Sequence, residues 1–287
     1  MATGKAKPAA AKRAQPADRA KHYETIAVDT RESVALVVLS RPEVHNAFNA
    51  TLIGELTRAL QALDRDAQVR AVILLGEGKS FCAGADLNWM REMAGYGSDE
   101  NLADANALAM MLKTLHRLSK PTIARVHGSA FGGGAGLVAC CDIAFAAHDA
   151  TFSFSEAKLG LIPATIAPYV VEAIGARYAR RYFVSAERFT AAEAFRIGLV
   201  HEIYPLDEMD ARINELLGAL LVAGPRAQEE SKALVRAVAG GPIDDAMIAD
   251  TAARVARVRG SGEGKEGVAA FLSKRSPRWV PPPLRKR

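Results

Sequence analysis

The sequence predicts an α/β fold in which strands and helices alternate through the first two-thirds of the chain and helices alone fill the last third. Three observations carry this. Residues 34–39 and 71–75 are compact β-branched and Leu runs, stopped by Arg41-Pro42 and by Gly76-Glu77-Gly78, and runs of that length and apolarity read as buried strands. Between them Leu52, Ile53, Leu56, Leu60 and Leu63 recur at helical spacing, which makes a strand–helix–strand unit. From Ile166 onward helical signals dominate.

The remaining elements follow in order. An amphipathic stretch at 101–118 precedes a strand at 122–126, a glycine cluster Gly132-Gly133-Gly134 and another strand at 143–147. Helical stretches follow around 177–184, 191–197, 207–221 and 228–238, punctuated by Gly198, Pro205, Gly224-Pro225 and Gly240-Gly241-Pro242. Pro281-Pro282-Pro283 with its flanking basic residues cannot continue a helix and reads as an extended tail. The expected organisation is a disordered basic tail at 1–22, an α/β core at 23–200, a helical region at 201–275 and a Pro-rich basic tail at 276–287.

With 287 residues, 49% of them hydrophobic and 24% charged, the composition is that of a soluble globular protein with room for a large core. No apolar run is long enough to span a bilayer, and residues 1–22 hold no secretory apolar segment, so a cytoplasmic protein without a membrane partner is expected. The formal charge of +5 would suggest a nucleic-acid partner only if it lay on the folded body. It lies instead in the tails, where residues 1–22 and 273–287 hold 12 of the 37 bases and one of the 32 acids, leaving a body of 25 bases against 31 acids. The N-terminal tail, rich in Ala and Pro as well as Lys and Arg, reads as disordered rather than as a transit peptide or a nucleic-acid arm. Cys82, Cys140 and Cys141 are an odd count with two chain neighbours, which fits a reduced compartment, and six scattered histidines show no metal-ligand spacing.

Two loops stand out because each sets small residues between a strand and a helix: Phe81-Cys82-Ala83-Gly84-Ala85-Asp86-Leu87, and His127 through Gly136. Small side chains let a ligand oxygen reach the main chain, and a following helix N-terminus aims free N–H groups and its positive dipole end at it. Taken singly, each could be a mere turn; two converging would form an oxyanion hole. Neither is a phosphate cradle of a known type. Gly78-Lys79-Ser80 ends like a P-loop but has Ile73 where the first glycine is required, and Leu137 stands where a dinucleotide fingerprint beginning at Gly132 needs its last glycine.

Together with Arg41-Pro42 and Asn46-Ala47-Phe48, Cys141-Asp142, Phe154-Ser155-Glu156 to Pro163, and the late Glu266-Gly267, Phe271 and Lys274-Arg275, these loops resemble the crotonase superfamily of enoyl-CoA hydratases and isomerases over roughly residues 24–275. The resemblance implies a spiral of ββα turns with a C-terminal helical region that builds homotrimers or homohexamers. It also implies an acyl-CoA substrate bound in a bent pose, with CoA part of the substrate and no separate cofactor. Carried over by position, the N–H groups of Ala85 and Gly133 hold the thioester oxygen, and Glu156 moves protons. Ala83, Asp86, Leu87, Gly132 and Gly136 line the substrate, while Lys274 and Arg275 resemble the pair that can meet the CoA phosphates, across a subunit boundary or as a merely solvated pair.

One position departs from the two-carboxylate hydratases of that superfamily, which place a Glu three residues after the donating glycine; here that residue is Gly136. Glu156 alone remains, among Phe152, Phe154, Leu159 and Leu161, a setting that would raise its pKa toward a value useful for proton transfer; without the loops, a salt-bridged surface Glu is the plainer reading. The missing acid could come from a carboxylate on the substrate, for which Gly136 is expected to leave room. The run from Gly133 to Asp142, with Pro163-Ala164, Ile166 and the segments 168–171 and 173–175, resembles a bacterial subgroup named for methylglutaconyl-CoA and isohexenylglutaconyl-CoA hydratases. The expected reaction is therefore hydration of a branched or glutaconyl-type 2-enoyl-CoA. The alternatives are Δ3-Δ2 enoyl-CoA isomerisation by one glutamate, thioester hydrolysis, and a non-catalytic or RNA-associated crotonase-fold protein. Trp89, Met90, Met110 and Phe131 are acyl-pocket candidates that core packing would explain equally.

Overall fold

The structure, a computed structural model, describes residues 23–282; the expected tail at 1–22 and the last five residues of the expected C-terminal tail lie outside the described residues. Strands β1 (Ile26–Arg31) and β2 (Val34–Leu39) pair antiparallel around Glu32 and Ser33, whose φ angles of 47° and 74° make the tight two-residue turn that follows the twist of the strands. Asn49 caps helix α1 (Ala50–Arg65) by accepting from the Leu52 amide at 2.9 Å, and Leu52, Ile53, Leu56, Leu60 and Leu63 turn their shared face inward as their spacing requires. Strand β3 (Ala71–Gly76) returns parallel to β2.

Three more parallel strands, β4 (Thr122–Val126), β6 (Ile143–Ala147) and β9 (Glu202–Tyr204), complete a six-stranded sheet in the order β1-β2-β3-β4-β6-β9. Alternate side chains of this sheet enter two separate cores. Val37, Val72, Leu74, Ala124 and Ala144 face α1, α3 (Ser98–His116) and α4 (Gly133–Cys140). Ile73, Ile123 and Phe145 face Met209, Ile213 and Leu217 of α7 (Leu206–Val222). Burial on both faces is why these strands read as continuous apolar runs rather than alternating ones.

A second, small sheet of β5 (Ser129–Phe131), β7 (Thr151–Ser153) and β8 (Phe189–Thr190) stands beside the first. Three strands of the large sheet hand the chain to it: β4 leads into β5, β6 into β7, and β3 into Cys82, which bridges to Ala130. The repetition is the expected spiral of ββα turns.

Helices α5 (Ala167–Ser185) and α6 (Ala191–Ile197) close the spiral. The last three, α8 (Pro225–Val238), α9 (Asp245–Gly260) and α10 (Gly262–Leu272), pack mainly on one another and, Ala270 apart, bury no side chain. Val255, Val268, Phe271 and Leu272 are exposed, Phe271 by 82%. Residues 276–281 are non-helical, but they are not a free tail. Trp279 donates its Nε1–H to the Val222 carbonyl at 2.9 Å, its own carbonyl accepts from Arg70, and Val280 is 2% exposed. An aromatic and a valine outweigh the charge around them. Among the described residues no helix is long and apolar enough to cross a membrane, and no three His, Cys, Asp or Glu side chains group as metal ligands.

Candidate active site

The first loop is fixed by its own main chain. Phe81 and Cys82 donate to the carbonyls of His127 and Ser129 at 2.9 and 3.0 Å, and Ala83 donates to His45 at 3.0 Å. Phe48 pairs with the stretch beyond: its amide donates to Gly84 at 2.7 Å and its carbonyl accepts from Asp86 at 2.9 Å. In a parallel bridge of this kind the flanking residues make both bonds, so the Ala85 N–H turns away from Phe48. It meets no protein acceptor among the described residues. Asp86 then caps α2 (Leu87–Met93) by accepting from the Asn88 amide at 2.7 Å, and takes the Arg41 guanidinium at 2.8 Å. Burial alone would push the Asp86 carboxyl up, but the Asn88 amide and Arg41 hold it below its ordinary value. Fully buried Asn46 braces the loop from beneath, accepting from the Arg41 amide and donating to the carbonyls of Glu77 and Ser80.

The second loop ends at Gly132, whose φ of 50° suits glycine and whose amide donates to Ser153 of β7 at 2.8 Å. Gly133 is the first residue of α4, so its N–H has no helical acceptor, and it meets no other among the described residues. The two loops converge through Phe48. Its backbone pairs with Ala85, and its ring lies so close to Gly133 that a methyl there would stand 2.4 Å from Cε2.

Glu156 opens a short 3-10 turn directly after β7, and that strand carries it to the same place. A methyl on Gly132 would lie 3.2 Å from Glu156 Oε1. Oε2 is buried without a hydrogen-bond partner, and Glu156 makes no ion pair among the described residues, so the salt-bridged surface reading does not hold. Burial pushes its carboxyl above the ordinary value, against a smaller downward pull from its own amide. Phe152 and Phe154 are buried as expected, whereas Leu159 and Leu161 are 58% and 54% exposed and flank the turn from outside.

Gly136 brings a correction. The expectation was of room left by the absent side chain. A methyl at position 136 would stand 2.3 Å from Ile166 Cγ2 and 3.8 Å from Leu112 Cδ2, so the space is already filled. Ile166 does this from the turn that opens α5, at 1% exposure.

Other expected residues scatter. Ala83 is half-buried in the first loop, and Leu87 is 70% exposed at the start of α2. Trp89 belongs to the core, Met110 is half exposed, and the Phe131 ring lies under the Arg188 guanidinium at 5.0 Å. Arg275 is held by Glu266 in a bidentate pair at 2.7 and 3.0 Å at the end of α10, and the structure joins neither it nor Lys274 to the two loops. Asp86 was expected to line the substrate, but its pairing with Arg41, and the places of the Phe48 ring and Ile166 in the site, were not read from sequence; they come from three separate segments, and only a spacing signal could have flagged them. A cavity of about 610 Å³ at the far end of α4, among Cys140, Cys141, His116 and Lys232, shares no residue with the loops. Burial pushes the Cys82 thiol up to about 12, so the cysteine of the first loop is no thiolate nucleophile.

Two unpaired N–H groups beside an apolar-set carboxylate can stabilise an oxyanion and shuttle a proton. A family model described as enoyl-CoA hydratase/isomerase matches residues 29–281. The chain belongs to this family. It is similar to the crotonyl-CoA hydratase of Syntrophomonas wolfei, at 32% identity over 90% of this chain and 98% of that protein. Among solved structures, an enoyl-CoA hydratase from Shewanella pealeana superposes with a TM-score of 0.88 at 43% identity, covering 91% of this chain and 97% of the other. Pseudomonas aeruginosa AtuE superposes at 0.86 with 37% identity, over 90% and 100%. The family membership makes the chain an enzyme of the enoyl-CoA hydratase type on the crotonase fold.

Proposed function

We propose that the enzyme reversibly adds water to a 2-enoyl-CoA thioester with a small branch on the acyl chain, using Ala85, Gly133 and Glu156. The observation that carries this is the Glu156 carboxylate, with Oε2 unpartnered and Oε1 against Gly132, next to the free N–H that opens α4. The thioester oxygen accepts from the Ala85 and Gly133 amides. Glu156 takes a proton from water as its oxygen bonds to Cβ, the π electrons move onto the thioester as an enolate, and Glu156 returns the proton at Cα. The amides see more charge in the enolate than in the substrate, which is the condition for lowering the barrier.

A glutaconyl-type substrate keeps the support of the residue pattern from Gly133 to Gly175, but Ile166 removes the space beside Gly136 that its second carboxylate would have used. One observation favours Δ3-Δ2 isomerisation as a second reading: a single carboxylate suffices to carry a proton from Cα to Cγ. Both readings are tested together. Purified enzyme is mixed with a panel of 2-enoyl and 3-enoyl thioesters, including 3-methylglutaconyl-CoA, and the conjugated-enoyl absorbance is followed. Loss on a 2-enoyl member supports hydration, gain on a 3-enoyl member supports isomerisation, and no change on any member refutes both.

For assembly, the exposed apolar side chains of α8, α9 and α10 support a trimer or hexamer in which these helices meet another copy. Of the late basic pair, Lys274 makes no ion pair among the described residues, and it is the one we assign to a CoA phosphate.

A further inference from the structure

Three glycines at the start of α4 each meet a different side chain: Gly132 is the cap before the helix, and Gly133 and Gly136 lie on one face of its first turn. Gly132 faces the Glu156 carboxyl, Gly133 the Phe48 ring and Gly136 the Ile166 branch. Positions three and four apart stack along a helix face. The place filled by Ile166 therefore lies on the face of α4 that begins at Gly133, whose N–H meets the reacting atoms, and within one turn of it. Leu112 also borders position 136, its Cδ2 3.8 Å from a methyl there, and both it and Ile166 are fully or almost fully buried. The first atoms that a methyl at position 136 would meet are all carbons, of Ile166 and Leu112.

We propose that Ile166 is a specificity-determining residue: it plugs the acyl pocket on the α4 side and limits the substituent that Cβ of the substrate can turn toward α4 to about the size of a methyl group. This rests on the acyl-CoA reading of the site and deepens it. A longer apolar branch would have to displace Ile166 from beside Gly136. A branch ending in a carboxylate would in addition lose its water against the apolar Ile166 side chain.

Saturated thioesters separate this from the reaction itself, because they bind without being hydrated. Binding of 3-methylbutanoyl-CoA and of 3-isobutyl-5-methylhexanoyl-CoA, whose two C3 substituents both exceed a methyl, is measured by calorimetry on the full chain, wild type and Ile166→Ala, with 3-isobutylglutaryl-CoA as the charged match of the longer ligand. Wild type is expected to bind the short thioester at least tenfold more tightly than either long one. Ile166→Ala should narrow the gap for 3-isobutyl-5-methylhexanoyl-CoA by tenfold or more, in the range that one or two buried methylenes give in a pocket, and narrow it less for the carboxylate. Equal binding of short and long thioesters by wild type, or an unchanged ratio in Ile166→Ala, overturns the proposal even if the enzyme proves an active hydratase. Tight, discriminating binding with no hydration would sink the reaction and leave the plug standing. As a check on packing without ligand, Gly136→Ala should lower the urea midpoint in wild type and lower it by less than half as much in Ile166→Ala; equal losses would place the methyl of position 136 against something other than Ile166 and refute the plug. If Ile166→Ala folds poorly, Ile166→Val gives the same tests with smaller shifts in the same direction.

Discussion

Glu156→Gln preserves the side chain's shape and removes its ability to take and return a proton. Proton transfer by a positioned side chain contributes about 10²–10⁴-fold, so kcat/KM on the best thioester should fall by about 10³, or about 4 kcal/mol of transition-state stabilisation. The same substitution should make the folded protein more stable at mildly alkaline pH. Burial raises the Glu156 carboxyl above its ordinary value, so in the window between the two values the folded state binds more protons than the unfolded chain. Its contribution to stability is present below the ordinary value and is lost as pH rises through the raised one. Gln carries no charge to desolvate, and the variant's advantage should be full at pH 8 and vanish toward pH 4. Its ceiling is the cost of a buried unpaired acceptor such as Oε2, about 1–3 kcal/mol. Urea unfolding across that range, beside kcat/KM measured against pH for wild type, checks both halves. The wild-type rate should decline as pH falls through the raised value, where the base becomes protonated. A variant that keeps more than a tenth of the activity, or that is less stable than wild type at pH 8, refutes this account of Glu156.

Arg41→Ala strips the partner from Asp86, a carboxyl group 5% exposed, and should cost about 3 kcal/mol by urea unfolding together with most of the activity, since the loop that aims Ala85 loses its brace. Glu55 takes hydrogen bonds from the Glu24 and Thr25 amides and the Thr25 hydroxyl at 2.9, 2.8 and 2.6 Å. Burial pushes its carboxyl up, but those bonds hold it below its ordinary value, so its stabilisation is present above the ordinary value and lost as pH falls through the lowered one. Glu55→Gln should therefore cost about 2 kcal/mol at pH 7 and progressively less toward acid, with activity unchanged. Asn49→Ala removes the α1 cap and should lower stability by about 1 kcal/mol in the same assay without altering the kinetics.

The long elements were legible because one physical rule dominates each. The face of α1 repeats over four turns, and the inner strands β2, β3, β4 and β6 of the large sheet are buried on both sides. The small sheet was not legible, since strands of two or three residues carry too little pattern to register. Nor was the first hairpin, where Glu32 and Ser33 take a left-handed turn without the Asn or Gly that would announce it. In the site, the loops could be read because glycine and helix starts have a local signature. The contact of Glu156 with Gly132 depends on β5 and β7 pairing, a non-local event that only the resemblance anticipated. Ile166 shows the limit most plainly, because an isoleucine before a helix carries no mark of what it fills. In the C-terminal segment Trp279 was the available signal: an indole amid basic residues has apolar area to bury, and its docking on Val222 follows.

The fit of Ile166 against Gly136 also bears on how this chain could have come from, or could become, an enzyme with two carboxylates. A side chain gained at position 136 while Ile166 remains meets an occupied core and strains it; a smaller residue gained first at position 166 leaves a void beside Leu112. Either order passes through a form that is poorer in packing than both ends. Lineages on the two sides are thus separated by a shallow valley that a single substitution does not cross, and residues 136 and 166 should change together wherever it has been crossed.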